Sequence, residues 1–203
     1  MARASERLHL TPQTISGLLL CLLISIFYCS ELVAEDTLGN SVNFMLGYKK
    51  MDEEHWPPFG EHYTLGVEVV LRKEKYPFPI VFEFLSGEAE FNYFGTEKSS
   101  TKEINIGLRH EFNNWDKKIP FLETGVSYIK GEVVLEGLDR NLDNNFSESA
   151  FGAWVSAGFT WILENNTEMG FKIKISRAKT DIPSGEKVDL GGVHFIFFTG
   201  VHF

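Results

Sequence analysis

From residue 40 onward, apolar side chains recur at every second position, and the residues between them are mostly glycine, small or charged. A period of two marks strands with two unlike faces. Eight segments carry it. The first sets Val42, Phe44, Leu46 and Tyr48 against Asn43, Gly47 and Lys49. The second sets Tyr63, Leu65, Val67, Val69 and Leu71 against Thr64, Gly66, Glu68 and Arg72. The third sets Phe78, Ile80, Phe82 and Phe84 against Val81 and Glu83, and the fourth Ile104, Ile106, Leu108 and Phe112 against Glu103, Asn105, Gly107, Arg109 and Glu111. In the fifth, Leu122, Val126 and Tyr128 oppose Glu123, Gly125 and Ser127. The sixth places Phe151, Ala153, Val155, Ala157, Phe159 and Trp161 opposite Gly152, Ser156, Gly158 and Thr160. The seventh opposes Met169, Phe171, Ile173 and Ile175 to Gly170, Lys172, Lys174 and Ser176. The eighth opposes Val193, Phe195, Phe197, Val201 and Phe203 to Gly192, His194, Gly200 and His202.

An even number of such strands can close antiparallel without a free edge, and closure is what hydrocarbon demands of backbone polar groups. The pattern therefore predicts an all-β fold, an eight-stranded antiparallel up-and-down transmembrane β-barrel. A soluble barrel with an apolar interior would alternate as well, and two features argue against it. The polar parity is crowded with glycine, serine and charges of both signs, which a narrow lumen can hold, while the other parity is bulky enough to face lipid. The connections also differ in length. Those at 73–75, 113–118 and 164–166 are short; those at 51–61, 87–101, 132–148 and 179–188 are longer and polar. Short turns and both termini are expected at the periplasm, with four long loops outside the cell. Phe78, Phe112, Trp161 and Phe203 would then lie near the periplasmic edge of the membrane, with Tyr76 and Trp115 in the adjoining turns. Tyr48, Tyr63, Tyr128 and Phe151 would lie near the outer edge.

The start of the chain changes the picture of where the barrel goes. The apolar run Leu18–Tyr28 is too short to span a bilayer as a helix. Arg3 and Arg7 precede it and Leu32-Val33-Ala34 follows, the layout of a secretory signal peptide. Residues 1–34 are expected to be removed after Ala34, leaving 35–203 as the barrel domain. Cys21 and Cys29 both fall in the leader, so the mature chain has no disulfide and no thiolate metal site. The net charge of −9 stays with the mature part, because Arg3 and Arg7 are offset by Glu6 and Glu31. An acidic balance disfavours nucleic-acid binding.

The last segment, Gly192-Val193-His194-Phe195-Ile196-Phe197-Phe198-Thr199-Gly200-Val201-His202-Phe203, resembles the terminal strand of bacterial outer-membrane proteins. The resemblance implies that Phe203, Val201, Phe197 and Phe195 form the signal read by the barrel-assembly machinery. Pro120-Phe121-Leu122-Glu123-Thr124-Gly125-Val126-Ser127-Tyr128 is similar to a strand common in OmpA/OmpX-like small barrels. Ser156-Ala157-Gly158-Phe159-Thr160 resembles the strand that follows it there. The likeness implies a superfamily, residence in the bacterial outer membrane, and contact with outer-membrane lipid and lipopolysaccharide.

The inward parity carries Glu68, Glu83, Glu103, Glu111 and Glu123 as acids and Lys49, Arg72, Arg109, Lys172 and Lys174 as bases. Unpaired charges in so narrow a lumen would be costly, so an interlocked ion-pair plug is expected, with a gated ion path as the alternative. An enzymatic reading fares worse. Lipid A deacylases of this architecture use a His-x-Ser-Asn run, and the matching stretch here is Lys174-Ile175-Ser176-Arg177. Ser176 has no neighbouring general base in that run and points inward by parity. His194 and His202 are too far apart along one strand to share a metal ion. His55, His62 and His110 are read as loop, lumen or interface residues.

Acidic groups gather in the first loop (Asp52, Glu53, Glu54) and the third (Glu136, Asp139, Asp143, Glu148) without calcium-loop spacing. Trp56, Phe59, Tyr93 and Phe94 are candidates for contact with a surface ligand. The expectation is a monomeric, non-enzymatic outer-membrane barrel without cofactor or metal, in a structural or surface-interaction role. The alternatives are a narrow pore or small-solute transport barrel and, less favoured, a lipid A-modifying enzyme.

Overall fold

A computed structural model describes residues 39–51, 60–73, 76–92, 96–112, 117–136, 146–181 and 187–203. The expected leader, the Asp52–Phe59 stretch of the first loop, Tyr93 and Phe94, Trp115, and Asp139 and Asp143 lie outside the described residues.

The described residues form ten strands: β1 (Ser41–Lys50), β2 (Glu61–Leu71), β3 (Ile80–Asn92), β4 (Thr96–Glu111), β5 (Lys118–Glu136), β6 (Phe146–Ile162), β7 (Thr167–Arg177), β8 (Lys179–Asp181), β9 (Lys187–Asp189) and β10 (Gly192–His202). Eight of them close a barrel in the order β1-β10-β7-β6-β5-β4-β3-β2, every pair antiparallel. β8 and β9 are a separate hairpin inserted between β7 and β10. The eight-stranded barrel expected from the alternation is the observed architecture.

Register sets the shape. Ser41 faces Val70, and the ladder continues through Val81, Gly107, Gly125, Trp154, Ser176 and Gly192. It returns to β1 one residue beyond the Lys50–Val193 pair, at Met51, ten positions along from Ser41. With strands ~4.8 Å apart and ~3.3 Å per residue, that offset tilts the strands by about 40° and leaves an interior that side chains can fill.

The outer wall is apolar along the whole circumference, with Tyr63 78%, Phe151 82% and Phe197 69% exposed and Phe82, Phe84, Ile104, Ile106, Leu108, Leu122, Val126 and Ile173 also open. In water such a surface would drive aggregation; in lipid it is the driving face. Rings meet along the wall, Tyr48 with Tyr63 at one end and His110 with Phe78 and Phe112 at the other.

Several sequence expectations are corrected. The connection between β2 and β3 is not a short turn at 73–75 but runs over 72–79. Pro77 and Pro79 lack the N–H a ladder needs, so Phe78 falls outside the strand and β3 starts at Ile80. The stretch 87–101 is mostly strand, and 132–148 begins and ends in strand: β3 and β4 pair out to Asn92–Thr96, β4 and β5 out to Thr96–Glu136. A ladder with water on both faces needs no apolar alternation, so backbone pairing can run on where that pattern stops. Alternation inside the barrel is also less strict than the sequence suggests. Met45, Leu85, Phe121, Ile196 and Phe198 form an apolar cluster within the lumen, and Trp154 is buried there too. Val201, on the lipid-facing parity, is only 9% exposed between its register neighbours Val42 and Thr167.

Candidate functional site

The lumen is where chemistry-bearing side chains converge, because each strand sends every second residue into it. At the end holding the termini, Arg72 forks onto Glu111 (Nη2 to Oε1 2.8 Å) and also donates to the Gly39 carbonyl at 2.8 Å. Glu168 and His202 meet beside it at 2.8 Å. One level further in, Arg109 donates from Nε to Glu123 (2.7 Å) and from Nη2 to Glu68 (2.8 Å), its guanidinium 4.2 Å from the Phe121 ring centroid. Lys172 contacts Glu68, Glu83 (2.6 Å) and Glu123 (3.3 Å). Asn43 donates to Glu68 at 3.1 Å, and Ser156 donates to Glu123.

The alternation of sign continues outward. Lys174 contacts Glu83 and reaches Glu103 at 3.2 Å, with Asn105 donating to Glu83 at 3.0 Å. Trp154 lies beneath Lys174, 5.2 Å from centroid to ammonium, and fixes its own ring by donating Nε1 to the Val126 carbonyl at 3.1 Å. Lys49 then contacts Glu103 at 2.7 Å and donates to the Leu190 carbonyl at 2.8 Å. His62 closes this level against Ser99 at 3.1 Å.

The register brings Arg72, Glu111, Arg109, Glu123, Glu68, Lys172, Glu83, Lys174, Glu103 and Lys49 into one connected chain of alternating sign. Lys49, Glu68, Glu83, Glu103, Arg109, Glu123, Lys172 and Lys174 are buried; Arg72 and Glu111 at the mouth are partly open. Sequence reasoning missed two members, Glu168 and His202 as a pair. The signal was present: Glu168 precedes outward Met169 and shares parity with Gly170 and Lys172.

Above the ion pairs sits an apolar roof. Val188 and Leu190, from the hairpin side of the last loop, are buried with Met51, Ile129, Ala150 and Ala178. Asp189 accepts from the backbone N–H of Ala178 and Gly191, each at 2.9 Å, which pins the β8–β9 hairpin over the mouth. No alternation pattern announces this roof, since its residues come from strand ends and a loop.

The catalytic arrangement weighed from the sequence can be placed. Ser176 is buried, 3.5 Å from His194 Nε2, and Glu103 Oε1 lies 3.3 Å from that same nitrogen. A relay needs base and orienting carboxylate on opposite ring nitrogens, so these three groups do not form one. Among the described residues no group of three or more His, Cys, Asp and Glu side chains could hold a metal ion. Of the terminal residues, Phe195 and Phe197 face outward on β10, the seam strand that closes the barrel against β1, and Phe203 is exposed just beyond its end.

No protein-family model and no curated protein matches the sequence. Solved structures do. Neisserial surface protein A is similar with a TM-score of 0.60 and 10% identity, covering 82% of this chain and 98% of its own. The outer membrane protein OprG from Pseudomonas aeruginosa follows at 0.58 and 12% identity, covering 83% and 97%. A major outer membrane protein from Thermus thermophilus gives 0.53 and 10% identity, covering 81% and 98%. At this identity the likeness establishes the fold. The chain has the closed eight-stranded antiparallel β-barrel fold of these outer-membrane proteins.

Proposed function

We propose that this chain is a non-enzymatic barrel of the bacterial outer membrane, closed to flow by its own ion pairs and roof, which acts as a structural or surface-interacting protein. The observation that carries this reading is the unbroken run of paired charges from Arg72–Glu111 to Lys49–Glu103, capped by Val188 and Leu190. Exchanging partners within such a run exposes a charge in low dielectric, and breaking one buried pair costs about 3–5 kcal/mol, so spontaneous opening is rare. The test is a planar bilayer recording of the purified mature barrel. The expected trace has no stable unitary steps; regular steps would replace this reading with the narrow-pore one.

Several further assignments belong to the same reading. A signal peptide at residues 1–34 delivers the chain, and Phe203, Val201, Phe197 and Phe195 on the seam strand are read by the barrel-assembly machinery. The uniformly apolar wall suits a monomer surrounded by lipid. Mass analysis of lipid A from cells with and without the protein addresses the enzymatic alternative: an unchanged spectrum is expected, and a product lacking an acyl chain would overturn the non-enzymatic reading.

A further inference from the structure

Lys102 on β4 and Lys130 on β5 are directly opposed in the antiparallel register. Both are on the outward parity, and both are flanked in the same row by hydroxyls, Ser86 on β3 and Ser149 on β6. Directly opposed residues place their Cβ atoms ~5 Å apart, so two like charges repel there unless an anion lies between them. The next row down is wholly apolar and exposed: Phe84, Ile104, Tyr128 and Phe151, with the last two rings 5.1 Å apart. A tyrosine beside bulky apolar groups marks the membrane–water boundary. The lysine row therefore stands one step, about 7 Å, above hydrocarbon, at the depth of lipid headgroups.

The surroundings carry both signs, with Glu88 and Glu132 in the row above. Arg177 pairs in register with Ala153 on the neighbouring flank and is exposed, as is Lys179 beyond it. Glu132 contacts Lys130, but the pair is 44% and 35% exposed, where such a contact is weak and exchangeable. Lysines that merely snorkelled toward water could be spread around the belt. Here a chain of net charge −9 sets two of them face to face.

We infer that the Lys102–Lys130 pair, with Ser86 and Ser149, is a binding site for the phosphate of an outer-leaflet lipid headgroup. Two ammonium groups and two hydroxyls supply donors around one tetrahedral anion. The apolar row beneath holds the acyl chains of the same molecule, which is why a tethered phosphate fits better than a free one. The inference rests on the transmembrane reading, which supplies the boundary.

The test is equilibrium binding of a fluorescent lipid A analogue to the mature barrel in neutral detergent micelles. Replacing both lysines, Lys102→Gln with Lys130→Gln, is expected to weaken binding about tenfold or more. Lys73→Gln with Lys118→Gln, at the opposite end and with the same charge change, should leave it within about twofold. Removing the phosphates from the lipid should weaken binding to the parent protein as the first variant does. Equal binding by the two double variants, or undiminished binding of dephosphorylated lipid, overturns the site. Full displacement by inorganic phosphate at matching concentration overturns the lipid assignment. A cold-versus-boiled gel shift on every sample reports folding separately: its absence in the parent would sink the membrane-barrel reading itself.

Discussion

Arg109 and Arg72 enter the same lumen with the same charge, yet their surroundings set different consequences for losing them. Arg109 is fully buried, forked between Glu123 and Glu68 and stacked on Phe121. Its truncation to alanine strands two carboxylates in low dielectric and should cost about 3–5 kcal/mol. Arg72 sits at the open mouth, where water can solvate Glu111 after Arg72→Ala, and the loss should be nearer ~1 kcal/mol. Glu123→Ala removes the carboxylate that Arg109, Lys172 and Ser156 all address, and belongs with the costly group. Urea midpoints in lipid vesicles measure all three; similar midpoints for the two arginine variants would show that the interior is wetter than its packing implies. That these side chains point inward was legible from parity alone. Which acid meets which base was not, because partners such as Lys172 and Glu68 are more than a hundred residues apart and are joined only by barrel closure.

Elements meet tight geometric limits where the strands cross the lumen. At Gly170 an added Cβ would collide with both the Phe159 carbonyl oxygen and the Phe198 ring, so neither backbone nor core could accept it. Gly170→Val should leave no folded barrel, read as loss of the gel shift; a normal shift would mean that β6 and β7 can separate locally. The β8–β9 hairpin is held differently, by Val188 and Leu190 packed into the roof. Val188→Glu puts a carboxylate among apolar groups and should release the hairpin at a loss of about 1–3 kcal/mol. Limited proteolysis of intact cells checks this: the parent loop resists and the variant is cut between β7 and β10. Equal resistance would show that the Asp189 bonds alone suffice. The sequence marked this segment only as a long polar loop, since three-residue strands offer too few positions for alternation to register.

For the whole molecule, an apolar exterior around an interior of interlocked charges reverses the layout of a soluble protein, and the reversal has a direct readout. Cells making the protein should carry it in the outer-membrane fraction, as a band that migrates faster unboiled than boiled. Closed ladders on every side leave no edge for detergent or denaturant to begin unpairing, which is why such a barrel survives the gel cold. A soluble periplasmic band without a shift would invert the assignment of inside and outside.

The fold class followed from the chain alone because side-chain direction in a strand is a local, covalent property with period two. Glu68, Glu103 and Lys174 could be sent to one face and Phe84, Ile104 and Phe197 to the other without knowing any neighbour. The tertiary structure decided what depends on register summed over eight ladders. That sum includes the tilt, the order of the ion pairs, the meeting of Lys102 with Lys130, and the closing of the mouth by Val188 and Leu190. It also filled inward positions with Met45, Phe121, Trp154 and Phe198. Parity says only that a residue is inside, whereas the space left between charged partners determines whether a ring or an aliphatic chain fits there.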